Sequence, residues 1–255
     1  MKKKKPLIIR GGFFVDFLIF ICYDYFMKTK LLYKGKSKDV YDLGDGNYLF
    51  QFKDDVTGNA DGVIDPGANQ VIGKIEGVGK ENLRLTKFFY ELLNKKGFNT
   101  HFVSADVDKG QMVVRPAVMF GKGIEVIVRL RATGSFVRRY GDHINDGDKL
   151  DYYVELNLKN DDRGDPFITK EGLEFLKIMT GDEYDVLVDL AKDICKVVEE
   201  ESGKVGLELW DIKFEFGKVD GKIALVDEIS GGCMRCFKGE AAVSAMDIAK
   251  LMVER

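Results

Sequence analysis

The sequence predicts an α+β fold, and three observations predict it. Strand-like stretches come in pairs joined by hairpin signals, near residues 31–52 and again at 207–226. Helical periodicity comes in separate blocks, at residues 81–96, 171–179, 184–201 and 240–254. Strands and helices do not alternate in the regular order that builds a parallel βαβ sheet.

The elements follow in order. Residues 31–41 have strand character and 48–52 form a second strand, with Gly44-Asp45-Gly46-Asn47 as the turn between them. Residues 56–79 are glycine-rich and aperiodic, which predicts a loop or flap. In the helix at 81–96, Leu85, Phe88, Phe89, Leu92 and Leu93 form one apolar stripe, and Gly97 supplies the stop. Strands follow at 112–118 and 124–130. Phe120-Gly121-Lys122-Gly123 between them is the candidate hinge between two domains. Asp220-Gly221 closes the last hairpin, between 207–216 and 222–226.

The chain has 255 residues, 45% hydrophobic and 32% charged, enough for one large or two small soluble domains. A net charge of -3 argues against a general nucleic-acid or membrane binder, so any positive site is local. The four cysteines, at 22, 195, 233 and 236, form no secreted disulfide framework, and a reducing compartment is expected. His101 and His143 are the only histidines, which argues against a histidine triad or a histidine-rich metal site.

Residues 1–26 differ from the rest. Lys2 to Lys5 are basic, and an apolar run at 13–22 is interrupted by Asp16. No small-residue cleavage site follows, and the run is short of the roughly twenty residues that span a membrane. Met27 opens a natural-looking start. The preferred reading is an extension upstream of it, with a peripheral or a targeting segment as the alternatives. The expected division is therefore 1–26, a β-rich 27–118 and an α+β 119–255.

Four constellations carry candidate chemistry. In Tyr33-Lys34-Gly35-Lys36-Ser37-Lys38, strand alternation places Lys36 and Lys38 on one face, and Gly35 exposes backbone amides. That suits a polyphosphate; a solvated edge strand is the other reading. In the strand at 207–216, Ile212, Phe214 and Phe216 share one face, and Asp211, Lys213 and Glu215 the other. With Asp227-Glu228 on the neighbouring strand, two carboxylates could hold Mg2+. Register decides: a two-residue turn sets Asp227 opposite Phe214, whereas a longer loop or bulge sets it opposite Glu215, which magnesium binding predicts. An exposed hairpin with ion pairs is the alternative. The segment Arg129 to Arg139, with Gly134-Ser135 opening a short helix, suits a phosphomonoester or is a basic surface. Cys233-Met234-Arg235-Cys236 has no second pair in sequence to complete a zinc or redox site and is expected to be structural.

Taken together and in order, these segments resemble the SAICAR synthetase family. The likeness runs from about Leu31 to the C-terminus. It rests on the Gly35-Lys36-Ser37-Lys38 loop, Gly97-Phe98-Asn99-Thr100-His101, residues 128–141, Leu158-Lys159-Asn160-Asp161 with Asp165-Pro166, Asp211-Ile212-Lys213-Phe214-Glu215-Phe216-Gly217, and Asp227-Glu228-Ile229-Ser230. The resemblance implies a small antiparallel N-terminal domain, kinase-like in outline, on a larger α+β domain, with ATP in the cleft between. It implies ligation of carboxyaminoimidazole ribonucleotide to L-aspartate through an acyl phosphate, in a cytoplasmic homo-oligomer that binds neither nucleic acid nor membrane. By resemblance, Gly35, Lys36, Lys38 and Met119 contact ATP, and Glu215 and Asp227 hold Mg2+. Lys213 and Asp211 serve the reaction, and Arg129, Ser135 and Arg235 grip the ribonucleotide phosphate.

The sequence departs from the family after Ser230. Where the family has Pro-Asp-x-x-Arg-x-Trp-Asp, this chain has Gly231-Gly232-Cys233-Met234-Arg235-Cys236-Phe237-Lys238. The arginine is kept as Arg235, and the aspartate position is Gly232. A sister ligase for another amine or acid, or a non-catalytic nucleotide-binding protein, therefore stays open.

Overall fold

The computed structural model describes residues 29–58, 62, 64–65 and 70–254. The expected N-terminal extension lies outside the described residues, as does much of the glycine-rich loop.

Two antiparallel sheets organise the chain. The first has the order β1-β2-β3-β7-β6 and holds β1 (Lys30–Lys34), β2 (Lys38–Asp42), β3 (Tyr48–Phe52), β6 (Phe102–Asp106) and β7 (Gln111–Val114). Residues 31–41 are thus a hairpin rather than one strand. The chain reverses at Gly35, whose N–H donates to the Lys38 carbonyl at 3.0 Å. A Cβ at Gly35 would stand 2.4 Å from that carbonyl oxygen, so no side chain fits there.

A ribbon of β4 (Asp55–Gly58) and β5 (Gln70–Lys74) occupies part of the region expected to be loop. The helix that follows, α1 (Val78–Lys95), begins three residues earlier than its periodicity suggests. The cause is a distant cap: the Asp54 carboxylate accepts from Gly77 N at 3.1 Å and from Gly79 N at 2.9 Å. Leu85, Phe89 and Leu93 of the expected stripe are fully buried, and Gly97 ends the helix at φ +88°.

Past β7 the chain enters the second sheet. β8 (Val118–Met119) already pairs with β12 (Glu208–Val219), and the Phe120–Gly123 turn leads into β9 (Ile124–Arg131). The short helix α2 (Ser135–Tyr140) leads to β10 (Lys149–Leu158), then β11 (Phe167–Ile168), α3 (Lys170–Phe175) and α4 (Gly181–Gly203). Thr180 and Glu183 close a capping box at the start of α4. β12 (Glu208–Val219) is the spine: β9 and β8 flank it on one side, β14 (Met234–Lys238) and β13 (Lys222–Val226) on the other. β15 (Ala241–Ala242) and α5 (Ala245–Val253) finish the chain, α5 against α1.

The alternation read in β12 is present. Ile212, Phe214 and Phe216 are fully buried against α4, whose Leu187, Ala191, Ile194 and Val198 face them. A bulge between Leu209 and Asp211 lets Leu209 bury as well despite the broken alternation. The sheets are joined where Asn99 and His101 exchange backbone hydrogen bonds with Leu225 of β13. Among the described residues, no helix is long and apolar enough to cross a membrane.

Candidate active site

The Gly35 turn, the polar face of β12 and the end of β13 line one cavity of about 1300 Å³. Gly35, Lys36, Lys38, Met119, Lys213, Glu215, Asp227 and Arg235 all border it. A second cavity of about 130 Å³ adjoins it through Lys213 and Arg235, and is also lined by Arg129, Ser135 and Asp211. Every residue singled out as a site residue therefore lies on one of two neighbouring cavities.

Lys36 and Lys38 reach the large cavity differently from the expectation. Because residues 31–41 are a hairpin, Lys36 sits in the turn, not on a strand face beside Lys38. Lys36 is partly exposed and pairs with Asp161 at 2.8 Å. Such an ion pair is weak in water and exchanges readily for a phosphate. Lys38 opens β2 and is buried, with Nζ 2.8 Å from Asp227 and 2.6 Å from Glu228. Burial alone would lower the Lys38 pKa; the two carboxylates outweigh it and hold the pKa above the usual lysine value.

The register expected for a metal pair is corrected. Val219 pairs with Lys222 across a two-residue Asp220-Gly221 turn, and Glu215 stands opposite Val226, not Asp227. Strand geometry continued by one residue would turn Asp227 toward the core. Instead β13 ends at Val226, and Asp227 takes a left-handed φ of +67°. Its carboxylate thereby reaches Lys38 in the cavity.

Glu215 lies opposite Glu125 of β9, and each carboxylate has a lysine: Lys159 at 2.6 Å from Glu215 and Lys213 at 2.7 Å from Glu125. Burial raises the Glu215 pKa and Asp227 raises it further, so it titrates above the usual glutamate range. Burial would raise Asp227 too, but Lys38 and Lys159 outweigh this and hold it below the usual aspartate range. Among the described residues, no three histidine, cysteine or acidic side chains form a metal cage. Two carboxylates bordering a wide cavity are nevertheless a donor set suited to a hard cation that keeps water and phosphate ligands.

Arg129 borders the smaller cavity, with its donors taken up by protein groups. It is 1% exposed, and all five N–H donors are engaged. Nε and Nη2 meet Glu155, Nη2 also meets Ser135 Oγ at 2.9 Å, and Nη1 meets Asp211 at 2.7 Å and the Thr133 carbonyl. Arg129 thereby holds Ser135 and Asp211 in place. Asp211 in turn holds Arg235 Nη1 at 2.6 Å, and Arg235 also pairs with Asp65. The backbone yields here too: Gly134, at φ +57°, lies so close to the Arg235 guanidinium that a Cβ would stand 2.8 Å from Nη2.

Sequence reasoning gave no role to Glu125, Glu155, Lys159 or Glu228. The Lys-x-Asp pattern contained Lys159, and Glu228 adjoins Asp227. Glu155 lies on β10, which was not anticipated. Cys233 and Cys236 are buried, and burial pushes both thiols up to about 12. They are protonated thiols, with Cys233 hydrogen-bonded to the Ser230 backbone, as a structural role requires. At Gly231 a Cβ would stand 2.4 Å from the Ala245 carbonyl oxygen at the start of α5, so no side chain fits there.

Comparison with known proteins identifies the family. The family model for SAICAR synthetase matches residues 31–250. A phosphoribosylaminoimidazole-succinocarboxamide synthase of Clostridium tetani is 52% identical over 226 residues, covering 88% of this chain and 99% of that protein. One solved structure, a SAICAR synthetase in complex with ADP, superposes with a TM-score of 0.77 at 26% identity, covering 88% of this chain and 97% of the other. Another SAICAR synthetase superposes with a TM-score of 0.71 at 34% identity, covering 82% and 87%. With its motifs in place on the two cavities and the match spanning nearly all described elements, the chain belongs to the SAICAR synthetase family.

Proposed function

We propose that the chain is the ATP-dependent ligase that joins carboxyaminoimidazole ribonucleotide to L-aspartate, giving SAICAR, ADP and phosphate in purine biosynthesis. The observation that carries this reading is the single cavity in which the Lys36–Lys38 turn faces Glu215 and Asp227 and which reaches Arg235. A carboxylate is a poor acyl donor because its leaving group would be oxide. Transfer of the γ-phosphoryl group to it releases ADP and makes phosphate the leaving group. The aspartate amine then attacks the acyl carbon, phosphate departs and the amine loses a proton.

Lys36, Lys38 and the amides around Gly35 neutralise and hold the ATP phosphates, with Met119 against the nucleotide. Lys213 stands between the two cavities and stabilises charge on the phosphoryl group in flight. Arg235, oriented by Asp211, and Ser135, oriented by Arg129, receive the ribonucleotide phosphate in the smaller cavity. Glu215 and Asp227 would hold Mg2+, which supplies electrostatic stabilisation of phosphate charge. We read the border between two domains, 27–118 and 119–255, as lying at β8, where the chain enters the second sheet, with the nucleotide between them. We also read the protein as a cytoplasmic homo-oligomer.

The test is an assay of purified protein with ATP, Mg2+ and the imidazole ribonucleotide, adding amino acids singly and following ADP. Aspartate-dependent ADP release is expected. Turnover with a different amine would make the chain a sister ligase, and nucleotide binding without turnover would make it a binding protein. Gly35→Ala is expected to weaken ADP binding at least about tenfold, since the turn must open by about an ångström to admit the methyl group. An ADP titration followed by calorimetry checks this; unchanged affinity would remove the turn from the nucleotide site.

A further inference from the structure

The segment Gly97-Phe98-Asn99-Thr100-His101 has no part in the reaction above, yet it ends at the site. The Asn99 carbonyl accepts from Leu225 N, and the Leu225 carbonyl accepts from His101 N, both at 3.0 Å. The His101 side chain then reaches past the end of β13. Its Nε2 lies 3.2 Å from the backbone carbonyl oxygen of Asp227. A carbonyl only accepts, so Nε2 carries the proton of this contact. The ring is 2% exposed and held by Phe50, edge-on at 5.5 Å, and by Tyr90 at 5.5 Å. Burial keeps the imidazole neutral, lowering its pKa to about 4 despite the opposing pull of Asp227.

Asp227 needs such a partner. The β13 ladder ends at Val226, so the Asp227 carbonyl has left the strand pairing. A left-handed backbone at a residue with a Cβ is disfavoured and persists only where its surroundings hold it. That conformation is what redirects the carboxylate from the core side toward Lys38.

We propose that His101 is the positioning residue for Asp227: its Nε2–H···O=C bond holds the left-handed backbone that aims the Asp227 carboxylate into the cavity. The proposal rests on the reading in which Glu215 and Asp227 take a divalent cation. His101 borders the large cavity, and the role proposed for it runs through the Asp227 backbone. Residues that orient metal ligands from behind change metal affinity by about 10- to 100-fold when lost.

The experiment compares His101→Leu, which removes the donor, with His101→Gln, whose amide N–H reaches about as far. Mn2+ binding to the protein–ADP complex is read from the electron paramagnetic resonance signal of free Mn2+, and ADP affinity is measured separately in EDTA. His101→Leu is expected to weaken Mn2+ binding about tenfold or more. Its metal-free ADP affinity and its KM for the ribonucleotide are expected to stay unchanged, and His101→Gln to restore Mn2+ binding to within about threefold. If His101→Leu does not fold, His101→Asn, whose shorter amide stops short of the carbonyl, replaces it. A folded donor-less variant that binds Mn2+ like wild type, or a glutamine variant as weak as the leucine one, overturns the positioning role alone. Wild-type protein that binds no Mn2+ overturns the metal assignment beneath it.

Discussion

Arg129→Met is expected to destabilise the fold by about 3 kcal/mol, the lower end for removing one partner of a buried ion pair. The wild-type guanidinium is 1% exposed and lies between Glu155 and Asp211, whose side chains are 0% and 4% exposed. Methionine fills much of the volume but offers no donor, so five hydrogen bonds vanish and two carboxylates stay buried. Arg139 still pairs with Glu155, and Arg235 with Asp211, which keeps the loss from reaching the upper end. Urea unfolding at neutral pH measures it. Adding Glu155→Gln to Arg129→Met should recover part of the loss, because it neutralises a buried carboxylate that has lost one of its two arginine partners. A single-variant loss below about 1 kcal/mol would mean that the network is not what holds β9, β10 and β12 together.

The same network marks the boundary of what sequence could reveal. Alternation along β12 gave the core face and the polar face, since a strand buried on one side writes its period directly into the chain. The Asp220-Gly221 hairpin was legible because both residues tolerate left-handed backbone, and both adopt it, at φ +51° and +76°. Glu155 was not legible. β10 itself carries the period of a strand, with Leu150, Tyr152, Val154, Leu156 and Leu158 alternating with mostly polar residues; what spacing does not show is that its polar side is covered at Glu155, which meets Arg129 from a strand 26 residues away. The start of α1 was misplaced because its cap, Asp54, lies more than twenty residues upstream of the helix's first turn. Asp227 was misjudged for a related reason. Register arithmetic assumes that the strand continues, and one left-handed residue reverses its answer. Each failure involves a contact distant in sequence or a local break in period, and neither leaves a mark in residue spacing.

Glu215→Gln is expected to lower turnover by roughly three orders of magnitude while leaving the fold at least as stable as wild type. The first half follows from role: a cation that neutralises phosphate charge contributes several kcal/mol to the barrier, and each 1.4 kcal/mol is about tenfold in rate. Glutamine keeps the shape of Glu215 but offers a neutral oxygen. The second half follows from linkage. Burial and Asp227 raise the Glu215 pKa in the folded protein above its unfolded value. The folded state therefore favours the protonated form, and the ionised carboxylate opposes folding. That penalty is absent below the ordinary glutamate pKa of about 4.3 and complete once the pH exceeds the raised folded value. An amide never ionises, so the variant escapes the penalty at neutral pH. Lys159 loses its partner, but its side chain is 40% exposed and can turn to water. A thermal unfolding midpoint that holds or rises, together with lost ADP release, is the expected pair of results. Near-normal turnover would remove Glu215 from the cation site, and a falling midpoint would mean that its pairing with Lys159 outweighs burial and repulsion from Asp227.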